Sequence, residues 1–199
     1  MALGKQAKTL SKAQIEAASQ YVASRRNGMR NQVILLLSAR AGLRAKEIAS
    51  LQWCMIVGAD GEISDSINLT DEASKGRGGR VIALNRALKA TLGTLYDQER
   101  QSGRFDVGTS YVVRTERSER TSAQAIVNLF QRWYQDLGFV GCSSHSGRRT
   151  FITNAARKIS TVGGSLRDVQ SLAGHSSLAT TQRYIDGDSE ARRRVVELV

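Results

Sequence analysis

The chain has no proline, only two cysteines and no long apolar run. Without proline, its turns must rest on the 18 glycines and on Asn, Asp and Ser. Cys54 and Cys142 form no CxxC pair, so no zinc or other metal site is expected, and in a reducing compartment both read as free thiols. The longest apolar stretches, residues 33–37 and 53–57, fall far short of the roughly 20 residues a membrane span needs. The N-terminal MALGKQAKTLSK has no apolar signal-peptide centre. A cytoplasmic protein with no membrane association is expected. There is no GxxxxGK[ST] loop, so neither an ATP site nor any other cofactor is expected. Asp60, Glu62, Asp65, Asp71 and Glu72 form an acidic patch whose spacing fails the calcium-loop pattern; they read as solvated.

What is abundant is positive charge. Lys and Arg number 29 against 18 Asp and Glu, a formal net charge of +11. An excess of this kind, spread along a folded chain, points to an anionic partner, with nucleic acid as the default. An acidic membrane surface would call for clustered cations beside an apolar anchor, and no such anchor is visible. With 199 residues, 41 % of them hydrophobic, the chain can build a sizeable core.

Residues 1–10 are basic and polar and read as a flexible basic arm, leaving 11–199 as one domain. Ser11 has the character of an N-cap for a helix with apolar positions at Ile15, Ala18 and Val22. Asn27-Gly28 breaks that helix. A second helix, over 29–41, contains the apolar run 33–37 and reads as buried. Gly42 ends it, and LRAKEIASL begins a short third helix. Between 55 and 84 the pattern changes: Ile63, Ile67 and Leu69, then Val81, Ile82 and Leu84, suggest about three short antiparallel strands separated by glycine turns. Helical spacing returns over 85–101, 122–137, 147–158, 166–173, 178–185 and 190–198. The expected fold is mainly α with a small three-stranded antiparallel β-sheet.

The chemistry concentrates in HSGRRTF at 145–151 and LAGHSSLATTQRYI at 172–185. Tyr184 lies nine residues past His175, across a short helix-turn and among polar residues. A tyrosine hydroxyl has a pKa of ~10 and needs cations or a base nearby to act as a nucleophile at neutral pH. Its attack on a phosphodiester builds charge on two non-bridging oxygens, which suits guanidinium forks that never deprotonate. Arg148 is one candidate fork, with His145 one helical turn before it on the same face. Arg44 is a second, at the start of a helix where backbone N–H groups favour an anion; Glu47, three residues on, could orient it from behind. Lys75, in ASKGRGGRVIAL, sits at a glycine-rich turn between strand-like runs and could protonate a leaving 5′-oxygen.

Five stretches in order now match a known pattern: GLRAKEI, SKGRGGRVIAL, HSGRRTF, LAGHSS and TTQRYI. Over roughly residues 10–190 the chain resembles the catalytic domain of the tyrosine recombinase (phage integrase) family. The resemblance implies the tyrosine recombinase catalytic-domain fold for 11–199. It implies Tyr184 as nucleophile, leaving a 3′-phosphotyrosyl link and a free 5′-hydroxyl. Arg44, Arg148 and His175 would stabilise the pentacoordinate state, Lys75 would protonate the leaving oxygen, and His145 would assist proton transfer or brace the phosphate. The partner implied is double-stranded DNA, with a homo-tetramer on two duplex sites; a monomer in free solution and accessory DNA-bending proteins are compatible with it. Only about ten residues precede the first helix, so the layout is that of short, catalytic-domain-only recombinases without an N-terminal core-binding domain. Arg149 stands where the family usually has histidine and is a candidate phosphate contact. The tail 189–199 could pack on its own core or on a neighbouring protomer.

Arg25, Arg26, Arg30, Arg40 and Lys46 around the first helices, and Arg77 and Arg80 on the hairpin, are the remaining candidate DNA contacts. Arg114, Arg117 and Arg120 add charge before the helix at 122–137. Such contacts position DNA without reading its sequence and make binding salt-dependent. Two rival readings keep the fold: a type IB topoisomerase-like enzyme that nicks and reseals one duplex, and a non-catalytic DNA-binding regulator.

Overall fold

A computed structural model describes residues 6–74, 79–115, 118–186 and 196–197. Among these residues the chain divides into two compact units, 1–151 and 152–199, with the boundary inside one helix.

In the first unit, α1 (Lys12–Ala23) begins at Ser11, whose hydroxyl accepts from the Gln14 N–H while the Gln14 side chain accepts from the Ser11 N–H. This reciprocal cap fixes the start of the helix. Helix α2 (Gly28–Ala41) follows a left-handed Asn27 at φ 59°. Val33 to Leu37 are all buried, so this helix is apolar around most of its circumference. It packs against α1 and against α4 (Arg86–Arg100). Helix α3 (Ala45–Ser50) packs against α5 (Ala123–Asp136). Asn85 and Ser122 cap α4 and α5 through their side chains. Leu88, Leu92 and Leu95 of α4 and Ile126, Phe130 and Trp133 of α5 fill the core at helical spacing.

Two strands, β1 (Ser66–Leu69) and β2 (Arg80–Ala83), pair antiparallel with Ile67 opposite Ile82, both buried. The expected third strand is not formed among the described residues: around Ile63 there is only an isolated bridge to Val57. The acidic, glycine-rich 58–62 segment there makes a tight turn instead, with Gly58 N–H bonded to Glu62 C=O.

Residues 6–10 also depart from expectation, because they are tied down rather than forming a loose arm. The Lys8 N–H donates to Gly141 C=O at 3.0 Å, the Leu10 N–H donates to Thr150 Oγ1 at 2.7 Å, and the Leu10 side chain is buried. Two hydrogen bonds from backbone N–H groups, one to a backbone carbonyl and one to a threonine hydroxyl, and a buried leucine outweigh the polar character that made this segment read as mobile. Residues 1–5 lie outside the described set.

Helix α6 (Ser146–Lys158) spans the boundary. In the second unit it runs into a 3₁₀ turn (Ile159–Val162), ended by left-handed Gly163. Helix α7 (Leu166–Ala173) starts with a Ser165/Asp168 capping box and ends at left-handed Gly174. Helix α8 (Leu178–Asp186) packs on α7. Of the helix expected over 190–198, only residues 196–197 are described; Val196 is exposed.

Candidate active site

The first half of the site is built on the turn between α2 and α3. Gly42 takes the left-handed conformation (φ 67°, ψ 22°) that ends α2, and the Leu43 N–H bonds back to Leu37 C=O. Arg44 is extended and caps α3. A Cβ on Gly42 would lie 2.4 Å from the Phe151 ring, so glycine is required both for the backbone angle and for the close approach.

Arg148, on the first turn of α6, reaches the same turn: its Nη1 donates to the Gly42 C=O at 2.5 Å, from 106 residues away in the chain. Its side chain is buried, 4 % exposed. The neighbouring Gly147 allows that approach, since a Cβ there would fall 2.5 Å from Ser38 Oγ on α2. Two arginines from distant segments thus converge on one loop.

Behind Arg44 lies Glu47, whose side chain is fully buried. One carboxylate oxygen accepts from Arg44 Nη1 at 2.8 Å and the other from the Arg44 backbone N–H at 2.8 Å. Arg80 of β2 grips both oxygens from the other side, at 3.0 and 3.1 Å. Burial pushes the Glu47 carboxyl up, but the hydrogen bonds and charge of Arg80, with the N–H and charge of Arg44, outweigh it and hold the group ionised, below the usual carboxylate value. Glu47 thus braces Arg44 from behind. Arg80, expected on the surface as a DNA contact, instead has a side chain 6 % exposed and bound to Glu47 as a buried counter-ion.

His145 precedes α6, with its ring exposed and its C=O accepting from the Arg149 N–H at 2.8 Å. Arg149 bonds the Gln6 side chain. Lys75 and Arg77 lie outside the described residues; on the flank of that hairpin, Lys46 Nζ donates to Ser74 C=O at 3.3 Å. Arg25 lies over the Tyr21 ring, 4.5 Å from its centroid, and Arg25 and Arg26 are exposed. Arg30 bonds Asn31 Oδ1 and Arg114 C=O and is half-buried, and Arg40 has its Nε buried with no hydrogen-bond partner among the described residues.

The second unit holds His175 and Tyr184. Gly174 ends α7 in the left-handed region (φ 59°, ψ 47°) and turns the chain so that His175 opens the link to α8. Gln170 secures this link from both sides: its C=O accepts from the His175 N–H at 3.1 Å, and its Nε2 donates to the His175 C=O at 3.0 Å. The imidazole and the Tyr184 phenol are stacked, with centroids 5.4 Å apart and planes 21° from parallel. His175 Nδ1 meets Thr181 Oγ1 at 3.0 Å, and Thr181 is fully buried. Thr181 was missed in the sequence. Its only signal there is its position, one turn before Tyr184 on the same helix face.

The sequence model described as "Phage integrase family" matches residues 8–191. Curated relatives include tyrosine recombinase XerA of Pyrococcus horikoshii, 26 % identical over 193 residues, covering 96 % of this chain and 62 % of the relative. Tyrosine recombinase XerC of Shewanella amazonensis is 28 % identical over 170 residues, covering 85 % of this chain and 53 % of the relative. The chain thus spans little more than half the length of these relatives. Among solved structures, a XerA recombinase superposes with TM-score 0.75 at 24 % identity over 96 % of this chain and 64 % of that one. XerH site-specific recombinase bound to its palindromic difH substrate gives TM-score 0.75 at 17 % identity over 98 % and 54 %. These likenesses agree with the helical fold and its small sheet. By the span of the family match and the order of its five motifs, the chain belongs to the phage integrase family.

Proposed function

We propose that this chain is the catalytic part of a site-specific DNA recombinase that cleaves and rejoins DNA through a 3′-phosphotyrosyl intermediate. The observation that carries the reading is the convergence of Arg44 and Arg148 on the Gly42 turn, one braced by Glu47 and the other by the Gly42 carbonyl. Two fixed guanidiniums are what a pentacoordinate phosphorane with two charged non-bridging oxygens needs. The His175–Tyr184 pair supplies the complementary half.

In this mechanism the Tyr184 oxygen attacks the phosphorus as its proton passes to solvent. The P–O5′ bond breaks, and the 5′-oxygen takes a proton from Lys75. Arg44, Arg148 and His175 hold the phosphoryl oxygens, with Thr181 fixing the plane of the His175 ring. His145 assists proton transfer or braces the phosphate. Attack by the 5′-hydroxyl of a second duplex reverses the step, so the ester's energy is conserved and no nucleotide is needed. The substrate is double-stranded DNA, with four protomers on two sites, and the exposed Arg25, Arg26 and Lys46 contact phosphates. Structural neighbours include a XerH complex with difH substrate and a lambda integrase dimer bound to a COC′ core site, which support this partner.

A nicked suicide duplex tests the proposal. The parent should form a covalent protein–DNA adduct and Tyr184→Phe none, with duplex binding retained. Equal adduct from both would remove Tyr184 as the nucleophile. Recombinant product from two sites, rather than plasmid relaxation alone, separates strand exchange from nicking and resealing.

A further inference from the structure

The hydrogen bonds around Glu47 divide the work between two arginines. A carboxylate offers about four lone-pair positions, and all four are taken here: two by the Arg80 fork, one by the Arg44 N–H and one by Arg44 Nη1. Arg80 is the buried partner, its side chain 6 % exposed. Arg44 gives Glu47 one guanidinium nitrogen, and its side chain remains 28 % exposed. A buried carboxylate needs a cation close to it. If Arg80 did not fill that need, Arg44 would be the nearest cation left to do so.

We infer that Arg80 is a positioning residue for strand cleavage: by neutralising Glu47 with a two-pronged grip, it keeps the Arg44 guanidinium turned toward the phosphate instead of being drawn inward as the sole counter-ion. This rests on the cleavage chemistry proposed above. The same grip joins β2, which follows Lys75 in the sequence, to α3, which carries Arg44 on its cap. Arg44 and Arg80 are therefore the two ends of one ion-pair chain, Arg44–Glu47–Arg80, and Lys75 lies five residues before Arg80 in the sequence.

The test is single-turnover cleavage of the nicked suicide duplex by the parent, Arg80→Met, Arg80→Lys and the double variant Glu47→Gln/Arg80→Met, with duplex affinity measured across a salt series. Outer partners of metal ligands typically cost about 10- to 100-fold in activity when lost, and by analogy a drop of that size is expected for Arg80→Met. Its duplex affinity and salt slope should match the parent's. The double variant should cleave faster than Arg80→Met, because no buried charge is left to recruit Arg44. Arg80→Lys keeps the charge but loses the fork, and should fall between parent and Arg80→Met; it also carries the test if circular dichroism shows Arg80→Met unfolded.

Cleavage by Arg80→Lys or Arg80→Met at the parent rate would overturn the inference. So would additive losses in the double variant, which would mark Arg80 as framework alone. A duplex affinity that falls, with a salt slope smaller by about 1, would make Arg80 a phosphate contact and overturn it as well. No adduct from the parent itself would sink the cleavage reading, and this inference with it; an adduct from the parent with no Arg80 effect would sink only the inference.

Discussion

Tyr134 shows how a single side chain can work against the fold that contains it. Its ring lies between Phe130 and Phe139, and its hydroxyl is buried with no hydrogen-bond partner among the described residues. Burial, helped by the neighbouring Cys142, pushes the phenol well above its ordinary value. A buried, unpartnered hydroxyl costs about 1–3 kcal/mol. Tyr134→Phe is therefore expected to raise stability by about 1 kcal/mol, read by thermal denaturation. The pH dependence has a definite sign. The folded pKa is raised, so the native state resists ionisation that the unfolded chain undergoes at pH ~10. Stability should fall as pH rises above that value in the parent, and Tyr134→Phe should lack this part of the alkaline loss. At the same scale, the chain has only two histidines, and both fall in the candidate site: His145 before α6 and His175 after α7. That made them legible in the sequence. Thr181 was not, because a threonine in a helix looks the same whether or not its hydroxyl orients an imidazole.

At the level of elements, the site depends on close approach between backbones. The first turn of α6 lies against α2 because Gly147 has no side chain; a Cβ would meet Ser38 Oγ at 2.5 Å and the Ala39 nitrogen at 3.2 Å. Overpacking of this kind costs about 1–3 kcal/mol. Gly147→Ala should lose that much stability and should slow cleavage further, because Arg148, the next residue, would be shifted off the Gly42 carbonyl. Gly147→Ala with Ser38→Ala removes the shortest contact and should recover part of both; chemical denaturation and the suicide-substrate assay read the two effects separately. The helices themselves were legible: Ser11 is the N-cap and Gly42 the left-handed stop read from the sequence, while the caps at Asn85 and Ser122 and the stop at Gly174 came with the structure. The sheet was read less well. Ile63 has strand-like neighbours, but a strand needs a partner along its length, and the turn at 58–62 leaves it one bridge.

At the scale of the whole molecule, a net charge of +11 bears on encounter with the proposed DNA partner more than on folding. Each phosphate neutralised adds about −0.9 to the slope of log affinity against log salt. Duplex binding should therefore weaken steeply with salt, by about 10³–10⁵ between 50 and 200 mM if six to ten phosphates are contacted, as a fluorescence titration would read. A flat salt response would count against a phosphate-dominated interface. No helix among the described residues is long and apolar enough to cross a membrane. The chain divides into two compact units, with Arg44, His145 and Arg148 in the first and His175 and Tyr184 in the second. The proposed reaction requires groups from both.

The helix order, the Gly42 stop and the candidacy of Arg44, Glu47, His145, Arg148, His175 and Tyr184 follow from local rules: caps, periodicity, and residue types suited to phosphoryl transfer. These depend on neighbours a few positions apart, so a linear reading reaches them. Tertiary structure alone decided that Arg148 hangs from the Gly42 carbonyl, that residues 6–10 are held in place, and that Arg80 turns inward to Glu47. A basic residue on a hairpin looks like a DNA contact until the fold puts a buried carboxylate within reach. Which charges meet in a low-dielectric interior is set by packing between segments far apart in the chain, and no local pattern encodes that distance.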